Sequence, residues 1–173
     1  MAKFNLLLLD AGVIIKLFEF EIWEAFLERC DVHLSKTIME EALYYIDSND
    51  EQKPIHLSDY KAKMTVHDVS VSQVQELKKI FGRVLLERLD AGEAELLAVV
   101  HNSPENYRIC SADAVVYRVL PALSKGSQGI SLEEVLTQIG LSRKVSWPYN
   151  KRFRETYTQR GFEEMLTGII LPN

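Results

Sequence analysis

Phe4-Asn5-Leu6-Leu7-Leu8-Leu9-Asp10 is the stretch that decides the fold. A nearly unbroken apolar run of this length suits a strand buried on both faces of a parallel sheet. The carboxylate of Asp10 closes it. Working outward, helical spacing follows at Ile14, Ile15, Phe18, Ile22, Trp23, Phe26 and Leu27. Asp31-Val32-His33-Leu34 reads as a second strand, and Ser35 as the N-cap of a helix running to about Asp47. Residues 51–62 are polar, contain Pro54 and read as a loop; Lys63 to Val69 reads as a short edge strand. Ser70 or Ser72 caps a long helix carrying Val74, Leu77, Ile80, Phe81, Val84 and Leu85. A further helix starts near Asp90 and reaches His101. The strand 107–110, a helix over 113–120 and a helix from Ser131 to about Ile139 complete the series. Strands alternating with helices predict an α/β chain on a parallel sheet, arranged as a three-layer α/β/α sandwich.

The 173 residues suit one domain with a sizeable core. A formal net charge of −5 argues against gripping nucleic acid by bulk charge alone. Cys30 and Cys110 form no CxxC or Cys/His cluster, so they read as small buried hydrophobes. His33, His56, His67 and His101 lack ligand spacing and read as surface or loop residues. No stretch reaches the length of a membrane span, and Leu6 to Leu9 is too short for a signal-peptide core, so a cytoplasmic location is expected. Composition shifts after Gly140. Residues 143–160 hold Arg143, Lys144, Lys151, Arg152, Arg154 and Arg160 against Glu155 alone, with Trp147, Tyr149, Phe153 and Tyr157 interleaved. The expected division is a domain over 1–142 and a basic, aromatic extension over 143–173. Burial of its aromatics would anchor the extension on the domain, and its cations offer RNA a phosphate contact.

Four acids stand against the apolar pattern. Asp10 and Asp113 follow strands, where ligands bind in open α/β sheets. Glu93 precedes Leu96, Leu97 and Val100 at helical spacing, which places it on the apolar face and turns Glu95 to solvent. Glu41 flanks the stripe of Ile38 and Tyr45 more closely than Glu40 does. Taken singly each has an ordinary reading: Asp113 as a helix N-cap, Asp10 as a strand-end turn residue, Glu93 as a first-turn glutamate, Glu41 as a surface residue. Two carboxylates about 4 Å apart repel by roughly 4 kcal/mol at an effective dielectric near 20, so several together call for a cation. An all-oxygen set suits Mg²⁺ or Mn²⁺.

The series Leu9-Asp10-Ala11-Gly12, Thr37-Ile38-Met39-Glu40-Glu41, Leu89-Asp90-Ala91-Gly92-Glu93-Ala94-Glu95 and Cys110-Ser111-Ala112-Asp113 resembles a PIN domain. Gly126-Ser127-Gln128-Gly129-Ile130 resembles the Gly-flanked segment before the last helix in one bacterial and archaeal branch of that family. The resemblance implies a parallel sheet in the order 3-2-1-4-5. It implies an Mg²⁺- or Mn²⁺-dependent endoribonuclease acting on a single-stranded RNA substrate. Catalytic and metal-binding roles would fall to Asp10, Glu41, Glu93 and Asp113, with Ser111 in support. Metal-bound hydroxide would attack phosphorus in line, leaving a 5′-phosphate and a 3′-hydroxyl. Gly12 stands where the family often has Ser or Asn. The same chemistry serves toxins of toxin–antitoxin pairs, in which an antitoxin protein covers the acidic rim. A catalytically inactive PIN-like interaction module is the non-enzymatic expectation, and the helix over 72–88 offers a homodimer contact. A haloacid-dehalogenase-type phosphatase needs a second Asp two positions after Asp10, where Gly12 stands.

Overall fold

The computed structural model describes residues 3–81 and 88–168. Its central sheet has four parallel strands, β1 (Phe4–Leu9), β2 (Cys30–Ser35), β5 (Met64–His67) and β6 (Arg108–Cys110), in the order β5-β2-β1-β6. A separate antiparallel pair joins β3 (Tyr44–Ile46) to β4 (Gln52–Pro54). The helices are α1 (Ala11–Glu19), α2 (Trp23–Arg29), α3 (Lys36–Glu41), α4 (Val71–Lys78), α5 (Ala91–Asn102), α6 (Ala114–Val119), α7 (Leu132–Gln138) and α8 (Lys151–Leu166).

This arrangement corrects the expected five-stranded 3-2-1-4-5 sheet. Beyond β6 the described residues offer only an isolated parallel bridge, Ile109 to Gly129, and no further strand. The two-stranded sheet is a second departure. The helix expected to run from Ser35 to Asp47 stops at Glu41, and Tyr44–Ile46 turns into strand. The aromatic and β-branched side chains of that run favour strand. Leu43, Tyr44 and Ile46 remain 57%, 51% and 43% exposed, so no apolar helical stripe was there to extend. The helix capped by Ser70 ends at Lys78. Val84 and Leu85, and with them the proposed dimer contact's far end, lie outside the described residues.

β1 is central because Leu7, Leu8 and Leu9 are apolar on both faces and fully buried. Leu7 and Leu8 register with Val32 and His33 on one side and with Arg108 and Ile109 on the other. Near its start the register shifts, and Leu6 takes a positive φ of 53°. Its freed N–H donates to the Asp31 carboxylate at 3.4 Å, so the irregularity leaves no orphan donor. Cys30 and Cys110 are buried free thiols.

The basic, aromatic segment forms α8. Phe153 is buried and meets Tyr117 of α6 edge-on. Arg118 donates twice to the Glu164 carboxylate, at 3.0 and 2.7 Å, and Arg160 adds a third contact at 2.9 Å. Burial alone would raise the Glu164 carboxyl, but the hydrogen bonds from the two guanidinium groups hold it below the usual range. Gly161 lets the helices touch: a Cβ there would lie 2.2 Å from the Arg118 carbonyl oxygen.

Candidate functional site

The end of β1 meets the end of β6 through Asp10 N–H donating to the Cys110 carbonyl at 3.2 Å. This places Asp10 beside Ser111 and opens both βα turns on the same rim. Asp10 is the N-cap of α1: its Oδ1 accepts from Val13 N–H at 2.7 Å. Its Oδ2 accepts from the Ser111 hydroxyl and from Ala112 N–H at 2.9 Å. Asp113 caps α6, accepting from Val115 N–H at 2.8 Å, and its own N–H donates to Ser111 Oγ at 2.9 Å. Asp90 caps α5 in a reciprocal box, with Glu93 N–H donating to Asp90 at 2.8 Å and Asp90 N–H donating to Glu93 Oε2 at 3.3 Å. Three carboxylates on the rim are therefore oriented by helix N-termini, which need acceptors for their free N–H groups.

That orientation overturns the metal centre. Among the described residues, no three His, Cys, Asp or Glu side chains are grouped so as to hold a metal ion. Asp10 aims both oxygens at protein donors, and Asp113 and Asp90 each commit an oxygen to a cap. The expectation of an Mg²⁺- or Mn²⁺-dependent nuclease, or of any metal-dependent hydrolase, is corrected on this ground, and with it the PIN assignment, which requires such a cluster. The hydrogen bonds of Asp113 match its ordinary reading as a helix N-cap, while Asp10, read as a strand-end turn residue, is a helix N-cap as well.

Comparison with family models, curated proteins and solved structures finds no match to this chain.

The acids still share an electrostatic neighbourhood. Burial pushes the Glu93 carboxyl up to about 8, aided by the charges of Asp113, Asp90 and Asp10. Burial also raises Asp10, against the pull of Ser111 and two backbone N–H groups. Glu41 is raised by desolvation and then by Asp90, Glu95 and Asp10. None of Asp10, Glu41, Asp90, Glu93, Glu95 and Asp113 has an ion-pair partner among the described residues. Glu95, expected in solvent, turns inward: Oε1 accepts from the Thr37 hydroxyl at 2.8 Å, and Oε2 is buried without a partner. Ala94 on its flank is buried as well, so α5 packs over a wider arc than one apolar stripe.

Sequence reasoning missed three contributors. Asp90 was legible as the first residue of an Asp-x-x-Glu capping pattern ending at Glu93. Tyr149, from the segment before α8, reaches the rim, its hydroxyl 3.4 Å from the Gly12 carbonyl and its ring under the Lys16 ammonium. Burial, then the charges of Asp10 and Glu19, push that phenol up to about 12, so it stays neutral. The third is β3, whose exposed apolar residues join Ile15, Glu19 and Glu41 around a pocket of about 220 Å³. Gly12 is open: a Cβ would sit 3.5 Å from Asp10 Oδ1 and 3.6 Å from Ala112 Cβ, ordinary contact distances.

Proposed function

We propose that this chain is a protein-binding module whose acidic rim and apolar β3 edge together receive a basic, apolar segment of a partner protein. The observation that carries the reading is the exposure of Leu43 and, in the short strand that follows it, of Tyr44 and Ile46, directly beside Glu41. Contiguous exposed apolar residues bordered by charge are a mark of protein interaction surfaces. The rim supplies the sign of the partner's charge. Asp10, Glu41, Asp90, Glu93 and Asp113 repel one another without an internal cation, and an arriving ammonium or guanidinium relieves that repulsion. Arginine suits the arrangement because its aliphatic stem lies along Ile15 and Tyr45 while its planar head meets carboxylates in pairs.

The reading is tested with a synthetic peptide alternating Arg and Leu and a control with Glu in place of Arg, each titrated into the full chain. Saturable binding of the first alone supports it. Equal binding of both, or of neither, removes it.

A further inference from the structure

A second constellation lies on the sheet's other edge strand and shares no residue with the acidic rim. His33 of β2 is buried and stacks on His67 of β5 with ring centroids 5.2 Å apart; Tyr107 meets both rings edge-on. This corrects the expectation of surface or loop residues for His33 and His67, which lie in strands. His33 Nε2 lies 3.1 Å from Asp31 Oδ2, and His33 Nδ1 lies 3.0 Å from His67 Nε2. His67 lines a pocket of about 280 Å³, with Val69, Val99 and Pro104 as apolar walls and Gln73 and Asn102 as polar ones.

The hydrogen bonds link the protons of the two rings. An ionised Asp31 only accepts, so His33 carries its proton on Nε2. In the uncharged pair of rings, His33 accepts at Nδ1, so His67 donates from Nε2 and its Nδ1 is a bare lone pair. No hydrogen bond occupies that nitrogen among the described residues. The charged groups around the pair are Asp31, Asp68, which Lys36 holds at 2.6 Å, Lys3 near Asp31 and Glu105 near Tyr107.

We propose that this pocket is a proton-accepting binding site for a small phenol-class ligand, with Asp31, His33 and His67 acting as a relay. The ligand's apolar ring takes the walls of Val69, Val99 and Pro104, and its weakly acidic hydroxyl donates to His67 Nδ1. As the ligand O–H bond breaks, its proton joins His67 Nδ1. The proton on His67 Nε2 passes to His33 Nδ1. The products are a bound phenolate and a His33 imidazolium paired with the Asp31 carboxylate, so charge and protons balance. Burial raises the Asp31 carboxyl, but the hydrogen bond and charge of His33, the Leu6 N–H and Lys3 together hold it below the usual range, which stabilises that end state.

Two measurements test the site. In the ligand-free full chain at mildly alkaline pH, ring-nitrogen NMR should show His67 protonated at Nε2 and bare at Nδ1; the opposite tautomer overturns the relay. With p-nitrophenol at mildly acidic pH, the wild type should show the visible phenolate band of bound ligand. Asp31→Asn should lower it about tenfold and His67→Gln should remove it, with thermal melts confirming that both fold. Absence of the band in the wild type, or an equal band in His67→Gln, overturns the proposal.

Discussion

Glu93 shows how one residue couples the rim to pH. Its carboxyl is raised to about 8 in the folded chain, chiefly by burial and then by Asp113 and Asp90. The folded state therefore holds a proton that the unfolded state releases above the ordinary glutamate range. Its stabilising contribution is complete below about 4.5, declines through neutrality and is lost above about 8. Glu93→Gln, which keeps the shape without the charge, should flatten this decline and stabilise the chain by about 1–3 kcal/mol at alkaline pH relative to the wild type. Thermal melts across pH 5 to 9 check it; parallel curves for the two proteins would contradict it. Asp10 behaves differently because its oxygens are spoken for. Asp10→Ala leaves Val13 N–H, Ala112 N–H and the Ser111 hydroxyl without their acceptor, and should cost about 2–4 kcal/mol in denaturant unfolding. At this scale the sequence showed which acids stand against the apolar pattern but not what orients them. Asp10, Glu93 and Asp113 do gather at the strand ends, but what holds Asp10 and Asp113 is the need of helix N-termini for acceptors. Side-chain direction, which decides between a cap and a metal ligand, is not written in residue spacing.

Among the elements, legibility followed burial. β1 was readable because Leu7, Leu8 and Leu9 are enclosed on both faces, so its pattern has one interpretation. β3 was not, because Tyr45 falls at helical spacing from Ile38 while its neighbours Tyr44 and Ile46 keep their apolar side chains in solvent, so burial marks neither a stripe nor a strand. The segment that became α8 gave a composition signal but no apolar stripe, since its buried face carries Phe153, Thr158, Gly161 and Glu164, one of them apolar and large. Its contact with α6 is breakable at a point. Gly161→Ala places a methyl against the Arg118 carbonyl and forces the two helices apart. The change should destabilise the chain by about 1–3 kcal/mol and speed proteolysis within 151–166. Unchanged protection would mean that α8 docks by other contacts.

For the whole molecule, the parallel sheet gathers carboxylates at the strand ends while β3 leaves an apolar edge beside them. Neither feature is accounted for by the core, and the two are adjacent, which is what joins them into one binding surface. Because Glu93 must release its proton as a partner's cation arrives, affinity for a basic segment should rise with pH toward about 8 and binding should release protons. Disrupting either half should suffice: Glu41→Gln and Tyr44→Ser should each weaken binding roughly tenfold, about 1.4 kcal/mol, without changing stability, since both side chains are exposed. The most direct measurement is calorimetric titration of the alternating Arg–Leu peptide into the full chain at about pH 7.5 in two buffers of different protonation enthalpy. The account predicts saturable binding with proton release, weakened in both variants. Binding that is absent, or that is unaltered by Glu41→Gln and Tyr44→Ser together, would contradict it.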